Sequence, residues 1–186
     1  MPGNKTSSTL DIAPGSKYAE LSGSTVSRIV ELLKRESTQP ARDVISFAQQ
    51  ICFSYLIGSC DSHLKNFSIV YYEEKTPRPS LAPAYDFVST TYFPRPSHDM
   101  AFALGEDRNI DAISPGSFRT LALQLGISKS SLRNLAKPLA NEIIPALRKA
   151  GSGQMGTVLE STPYIADRLE EDLLPRLDVL RSFCGI

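Results

Sequence analysis

The run Val44–Leu56 (VISFAQQICFSYL) constrains this chain more than any other. Val44, Ile45, Ala48, Ile51, Cys52, Tyr55 and Leu56 make it apolar nearly all round toward its end. A helix with that pattern belongs in the centre of a domain, because no side of it is suited to water. Thr38-Gln39-Pro40 turns the chain into it and Gly58 stops it. Ahead of it, STVSRIVELLKRE places Val26, Ile29, Val30 and Leu33 on one helical face, with Ser24 available as N-cap.

The remaining elements follow from local signals. Phe67–Tyr72 (FSIVYY) has strand composition, and Arg78–Ala82 can pair with it across a polar turn. After Asp86 a Pro-broken loop is expected to reach about Asp111. Ser114-Pro115 and Ser128 cap two further helices, the second carrying Leu132, Leu135, Leu139 and Ile143. Thr162-Pro163 opens a last helix with Ile165, Leu169, Leu173 and Leu177. Pro138, Pro145 and Pro175 are expected to kink or interrupt these helices, and Gly151–Gly156 to form a flexible joint. The fold class is mainly α with a small β-hairpin, without a βαβ rhythm.

A length of 186 residues suits one domain. The 20 Lys+Arg balance 20 Asp+Glu, which disfavours direct nucleic-acid binding driven by a bulk positive field. Cys52, Cys60 and Cys184 match no metal-ligand spacing and read as reduced thiols of a cytoplasmic protein. No stretch approaches the apolar length of a membrane span, and MPGNKTSSTLDIAPGS lacks a signal-peptide core. Residues 1–16, rich in Ser, Thr, Gly and Pro, read as a disordered lead-in.

One segment looks chemical. Gly58-Ser59-Cys60-Asp61-Ser62-His63-Leu64-Lys65-Asn66-Phe67 packs polar and ionisable side chains into a connector that would otherwise need only a turn. Twenty residues beyond Asn66, past the hairpin, comes Ala84-Tyr85-Asp86-Phe87. A carboxylate, an amide five positions later, then a hairpin and a second carboxylate is an arrangement used in kinase-type phosphoryl transfer. Asp61 would accept the proton of the attacking hydroxyl, Asn66 and Asp86 would hold Mg²⁺ through oxygen, and Lys65 or His63 would neutralise the transferred phosphoryl group. Taken singly, each residue also has a plain structural reading. Asp61 could cap a turn, Asn66 fill a left-handed position, and His63 be a satisfied surface imidazole.

Ser16-Lys17-Tyr18, YLIGSCDSHLKNFSIVYY and LAPAYDFVSTTYFP resemble the C-terminal lobe of the HipA family, bacterial serine/threonine-protein kinases of type II toxin–antitoxin modules. The resemblance covers roughly residues 17–183 and is strongest over 52–93. It implies a protein-kinase-like C-lobe over 17–186, Asp61 as catalytic aspartate, and Asn66 and Asp86 as Mg²⁺ ligands for ATP. It also implies a HipB-like DNA-binding antitoxin as partner and an aminoacyl-tRNA synthetase as protein substrate. The family's N-lobe, with its strand lysine and phosphate-covering loop, has no counterpart in these residues. A separate N-lobe polypeptide, or loss of activity, is the expectation that follows, with little autonomous kinase turnover by the chain itself.

A second pattern competes. In FRTLALQLGISKSSLRNLAKPL (118–139), Ala122, Gly126 and Leu132 have helix-turn-helix spacing, and Lys129, Arg133 and Lys137 could meet phosphates or base edges. The same spacing fits two C-lobe helices meeting at a glycine turn. Arg168–Arg176 (RLEEDLLPR) reads as the wet side of the last helix, and His98 as part of a turn rather than a metal site.

Overall fold

The computed structural model of the chain describes residues 24–71, 79–94 and 97–186. The expectations for residues 1–16, for Ser16-Lys17-Tyr18 and for the turn between the first two strands lie outside them. Helix α1 (Ser24–Glu36) buries Val26, Ile29, Val30 and Leu33, as its spacing predicts. Helix α2 (Pro40–Leu56) starts with Pro in its first turn and buries Val44, Phe47, Ala48, Ile51, Cys52, Tyr55 and Leu56. Ile45 departs from the expected all-round burial and faces outward. The helix ends at Ile57, and Gly58 turns the chain with φ +70°.

Strands β1 (Ile69–Tyr71) and β2 (Pro79–Leu81) form the expected antiparallel hairpin, with Ile69 opposite Leu81. α2 fixes its position. The buried Asp43 carboxylate accepts from Leu81 N at 2.7 Å and from the Ser80 hydroxyl at 3.3 Å, and Gln50 Nε2 donates to Ala82 O at 3.2 Å. Phe67, just ahead of β1, meets Phe47 edge-on with centroids 5.1 Å apart, locking the connector's far end to α2.

The expected loop from Asp86 to Asp111 contains a second hairpin instead. β3 (Asp99–Leu104) pairs with β4 (Asp107–Asn109) across Gly105, φ +68°. Met100 to Leu104 are all buried, so this strand shows an unbroken apolar run rather than alternation.

Helix α3 (Pro115–Leu125) begins in a capping box of Ser114 and Ser117 and ends at Gly126, φ +67°. Helix α4 (Lys129–Gly151) is capped by Ser128, whose hydroxyl accepts from Ser131 N. Helix α5 (Thr162–Cys184) returns alongside α4. Pro138, Pro145 and Pro175 do not interrupt these helices. All three are exposed, so the carbonyls they free, at Asn134, Asn141 and Glu171, are left to water rather than to the core. A Cβ on Gly151 would sit 2.6 Å from that of Ala166, so glycine permits the close approach of α4 and α5 there. Ile165 and Leu169, at the start of α5, are not buried; the expected stripe is core only from Leu173 onward.

At the centre Phe118 lies between Tyr55, edge-on at 5.3 Å, and Phe183, stacked at 5.1 Å. The last turn of α2 is thereby joined to α3 and α5. Burial raises the Tyr55 phenol, outweighing the opposite pull of the Arg176 charge. Among the described residues no helix is long and apolar enough to cross a membrane.

Candidate functional site

The connector from Gly58 to Phe67 is held at both ends and in the middle. Ser59 N donates to Ser54 O at 2.9 Å, and the buried hydroxyls of Ser59 and Ser62 share a 2.7 Å hydrogen bond. Ala101 N, on β3, donates to Cys60 O at 2.8 Å. A 3₁₀ turn over Leu64–Asn66 closes the segment, with Asn66 buried within it.

Asn66 and Asp86, twenty residues apart in sequence, meet. Asn66 Nδ2 donates to Asp86 O at 3.3 Å and to Asp86 Oδ2 at 3.2 Å. That commits the amide nitrogen to Asp86 and leaves the oxygen, Asn66 Oδ1, as the end available to a cation. Asp86 itself has φ +58°, and it is the residue other than glycine with positive φ among those described. The left-handed position foreseen for Asn66 therefore belongs to Asp86, one of the few side chains that tolerate it. Tyr85 secures the approach: its hydroxyl donates to Lys65 O at 2.6 Å and shares a 2.7 Å hydrogen bond with Ser68 Oγ.

Asp61 and Lys65 are exposed on the connector, and among the described residues no side-chain hydrogen bond or ion pair occupies either. His63 is half-buried, and its Nδ1 is buried without a hydrogen-bond partner, which does not fit a satisfied surface imidazole. An orphaned ring nitrogen of this kind costs about 1–3 kcal/mol unless a partner arrives.

Four residues that hold the connector were not foreseen as site residues: Thr90, Thr91, Asp172 and Arg176. Thr90 Oγ1 donates to Gly58 O at 2.9 Å and accepts from Cys60 N at 2.9 Å. Arg176 is buried, correcting the reading of RLEEDLLPR as a solvated face. Its Nε donates to Leu56 O at 3.1 Å and its Nη2 to Asp172 Oδ2 at 2.5 Å, and Asp172 Oδ2 also accepts from Thr91 Oγ1 at 2.7 Å. An amphipathic periodicity gives no sign of such a residue, since its partners lie on other elements.

His98 Nδ1 lies 2.6 Å from Asp111 Oδ2, a local pair beside the second hairpin. The three thiols are unpaired, and burial pushes the Cys52 thiol up to about 12, with Cys184 adding to the shift. Among the described residues no group of three or more His, Cys, Asp or Glu could hold a metal ion. Mg²⁺ does not need one: it commonly takes one or two protein oxygens and completes its shell with phosphate and water. The buried Asn66 and the exposed Asp86, oxygen-bearing side chains joined by a hydrogen bond, fit that requirement. In the helix-turn-helix pattern, Ala122 and Leu132 are buried, and Arg133 Nε donates to Phe183 O at 2.6 Å with its guanidinium 5.5 Å from the Phe183 ring centre. That side chain is committed to the α4–α5 contact.

Residues 4–147 match the family model of the HipA-like C-terminal domain. The protein named "Putative kinase Y4mE" of Sinorhizobium fredii is 31% identical over 140 residues, covering 75% of this chain and 33% of its own length. "Putative kinase Y4dM" of the same organism is 29% identical over 141 residues, 76% of this chain and 32% of its own. The chain thus spans a third of the length of these curated relatives. In three dimensions it is similar to HipA from the Shewanella oneidensis MR-1 complex of HipA, HipB and operator DNA. The TM-score is 0.70 at 18% identity, covering 89% of this chain and 38% of that one.

Proposed function

Because the chain belongs to the HipA-like C-terminal domain family, we propose that its connector and first hairpin form the metal- and hydroxyl-binding half of an ATP-dependent protein serine/threonine kinase. The observation that carries this reading is the juxtaposition of Asn66 and the Asp86 carboxylate across a hairpin, with Asp86 held in a left-handed conformation. A structural loop has no need to place a strained, exposed carboxylate against a buried amide.

Asp61 orients the Ser or Thr hydroxyl of the substrate and accepts its proton. The hydroxyl oxygen forms a bond to the γ-phosphorus as the bond to the ADP oxygen breaks. Lys65 and the unpartnered His63 are donors for the oxygens of the transferred group. Asn66 Oδ1 and Asp86 would hold Mg²⁺, which when bound offsets phosphate charge. Among the described residues no Gly-rich phosphate loop follows a strand, so positioning of the nucleotide depends on a lobe beyond them. A HipB-like antitoxin as partner, an aminoacyl-tRNA synthetase as substrate and a cytoplasmic setting belong to the same proposal.

The metal site is tested without turnover. With Mn²⁺ replacing Mg²⁺ and ATP present, the side-chain amide signal of Asn66 should broaden in NMR spectra, with affinity on the order of 1 mM, about 4 kcal/mol. Asp86→Asn, which tolerates the left-handed backbone but lacks the charge, should remove the broadening. Broadening centred elsewhere, or unchanged in the variant, would sink the assignment. Micromolar affinity would overturn the half-cleft reading.

A further inference from the structure

The geometry points to α5 as a working part of the site: Arg176, through Asp172 and Thr91, is a positioning residue that sets where the Asp61 connector begins. The inference rests on the catalytic reading of that connector. α5 lies beyond the residues that match the family model, so nothing in that match assigns it a role.

Arg176 sits at the C-terminal end of α2, where unpaired carbonyls and the negative end of the helix dipole favour a cation. It takes the Leu56 carbonyl with Nε and the Asp172 carboxylate with Nη2. Asp172 in turn accepts from the Thr91 hydroxyl. Thr90 and Thr91 donate their backbone N–H groups to Gly58 O at 3.0 and 3.2 Å, and Thr90 Oγ1 holds Cys60 N. The chain of contacts therefore runs from a buried guanidinium, through one carboxylate and two adjacent threonines, to the residue immediately before Asp61. A charged group is buried only when its partners compensate it, so each link is a requirement on the others. The geometry also explains the absence of a side chain at position 58: a Cβ there would lie 2.0 Å from Thr91 Oγ1 and 2.9 Å from Arg176 Nη2.

Cys60 reports on this anchor. It is buried beside Asp61, and burial raises its thiol above the ordinary range, against the opposing pulls of Thr90 and Arg176. It is therefore slow to alkylate while the connector is held. Cys52 is fully buried in α2 and serves as the internal reference. Alkylation of the native chain with iodoacetamide, read for each cysteine by peptide mass spectrometry, tests the inference. Loss of a hydrogen bond to a charged group in Thr91→Val or Arg176→Lys should speed Cys60 labelling about ten- to hundredfold. Cys60 should accelerate by a larger factor than Cys52, and Thr91→Ser, which keeps the hydroxyl, should restore protection. Unchanged Cys60 labelling would overturn the inference, as would Cys60 and Cys52 accelerating by the same factor, the mark of general destabilisation. The labelling needs no nucleotide. Its failure is thus separate from failure of the Mn²⁺ broadening, which bears on the phosphoryl-transfer reading alone.

Discussion

Gly58→Ala is expected to destabilise the chain by about 3 kcal/mol, read as a fall in the urea midpoint at unchanged slope. Two terms contribute. A methyl at φ +70° costs roughly 1 kcal/mol. Pushing Thr91 or Arg176 aside weakens hydrogen bonds to a charged group, worth about 1.5–3 kcal/mol. Gly185→Ala separates them. Its φ is +74°, but nothing lies within 4 Å of the added Cβ, so it should lose only the conformational term, about 1 kcal/mol. If the two variants lose the same amount, the packing of Thr91 and Arg176 around Gly58 is not what that position enforces.

Phe118→Ala should lower the free energy of unfolding by about 3–5 kcal/mol. The ring is fully buried and touches aromatic rings from α2 and α5, so its removal leaves a cavity where three helices meet. Leu123→Ala on the same helix is the reference, because Leu123 is 80% exposed and should change stability by less than about 0.5 kcal/mol. Thermal and denaturant unfolding of both variants give the comparison. A cost below about 1.5 kcal/mol for Phe118→Ala would mean that neighbouring side chains close over the space, and that the stack is not the keystone of the core.

The parts of the fold that were legible in sequence are those set by short-range chemistry. Gly58, the Ser114 and Ser128 caps and the β1–β2 pairing each depend on residues a few positions apart. The Asn66–Asp86 pair was legible as well, because a hairpin between two polar positions brings them to one end. The second hairpin was not. Pro94 and Pro96 precede it, its partner strand is only three residues long, and its continuous burial removes the alternation that marks a strand. The three helical prolines misled for a related reason, since their cost depends on whether the freed carbonyls face water. Arg176 was missed because its role is fixed by a carbonyl on another element, and no periodicity encodes that.

The bond from Arg176 to Leu56 joins residues 120 positions apart. During synthesis α2 and the connector leave the ribosome long before their clamp, at about 5–20 residues per second. The nascent chain thus passes several seconds with the Asp61 segment unmoored, and the site sets only once α5 has emerged. A chain stalled with α5 still in the exit tunnel should label readily at Cys60, and release should protect it. Long-range closure of this kind delays the setting of the connector until translation of this region is finished.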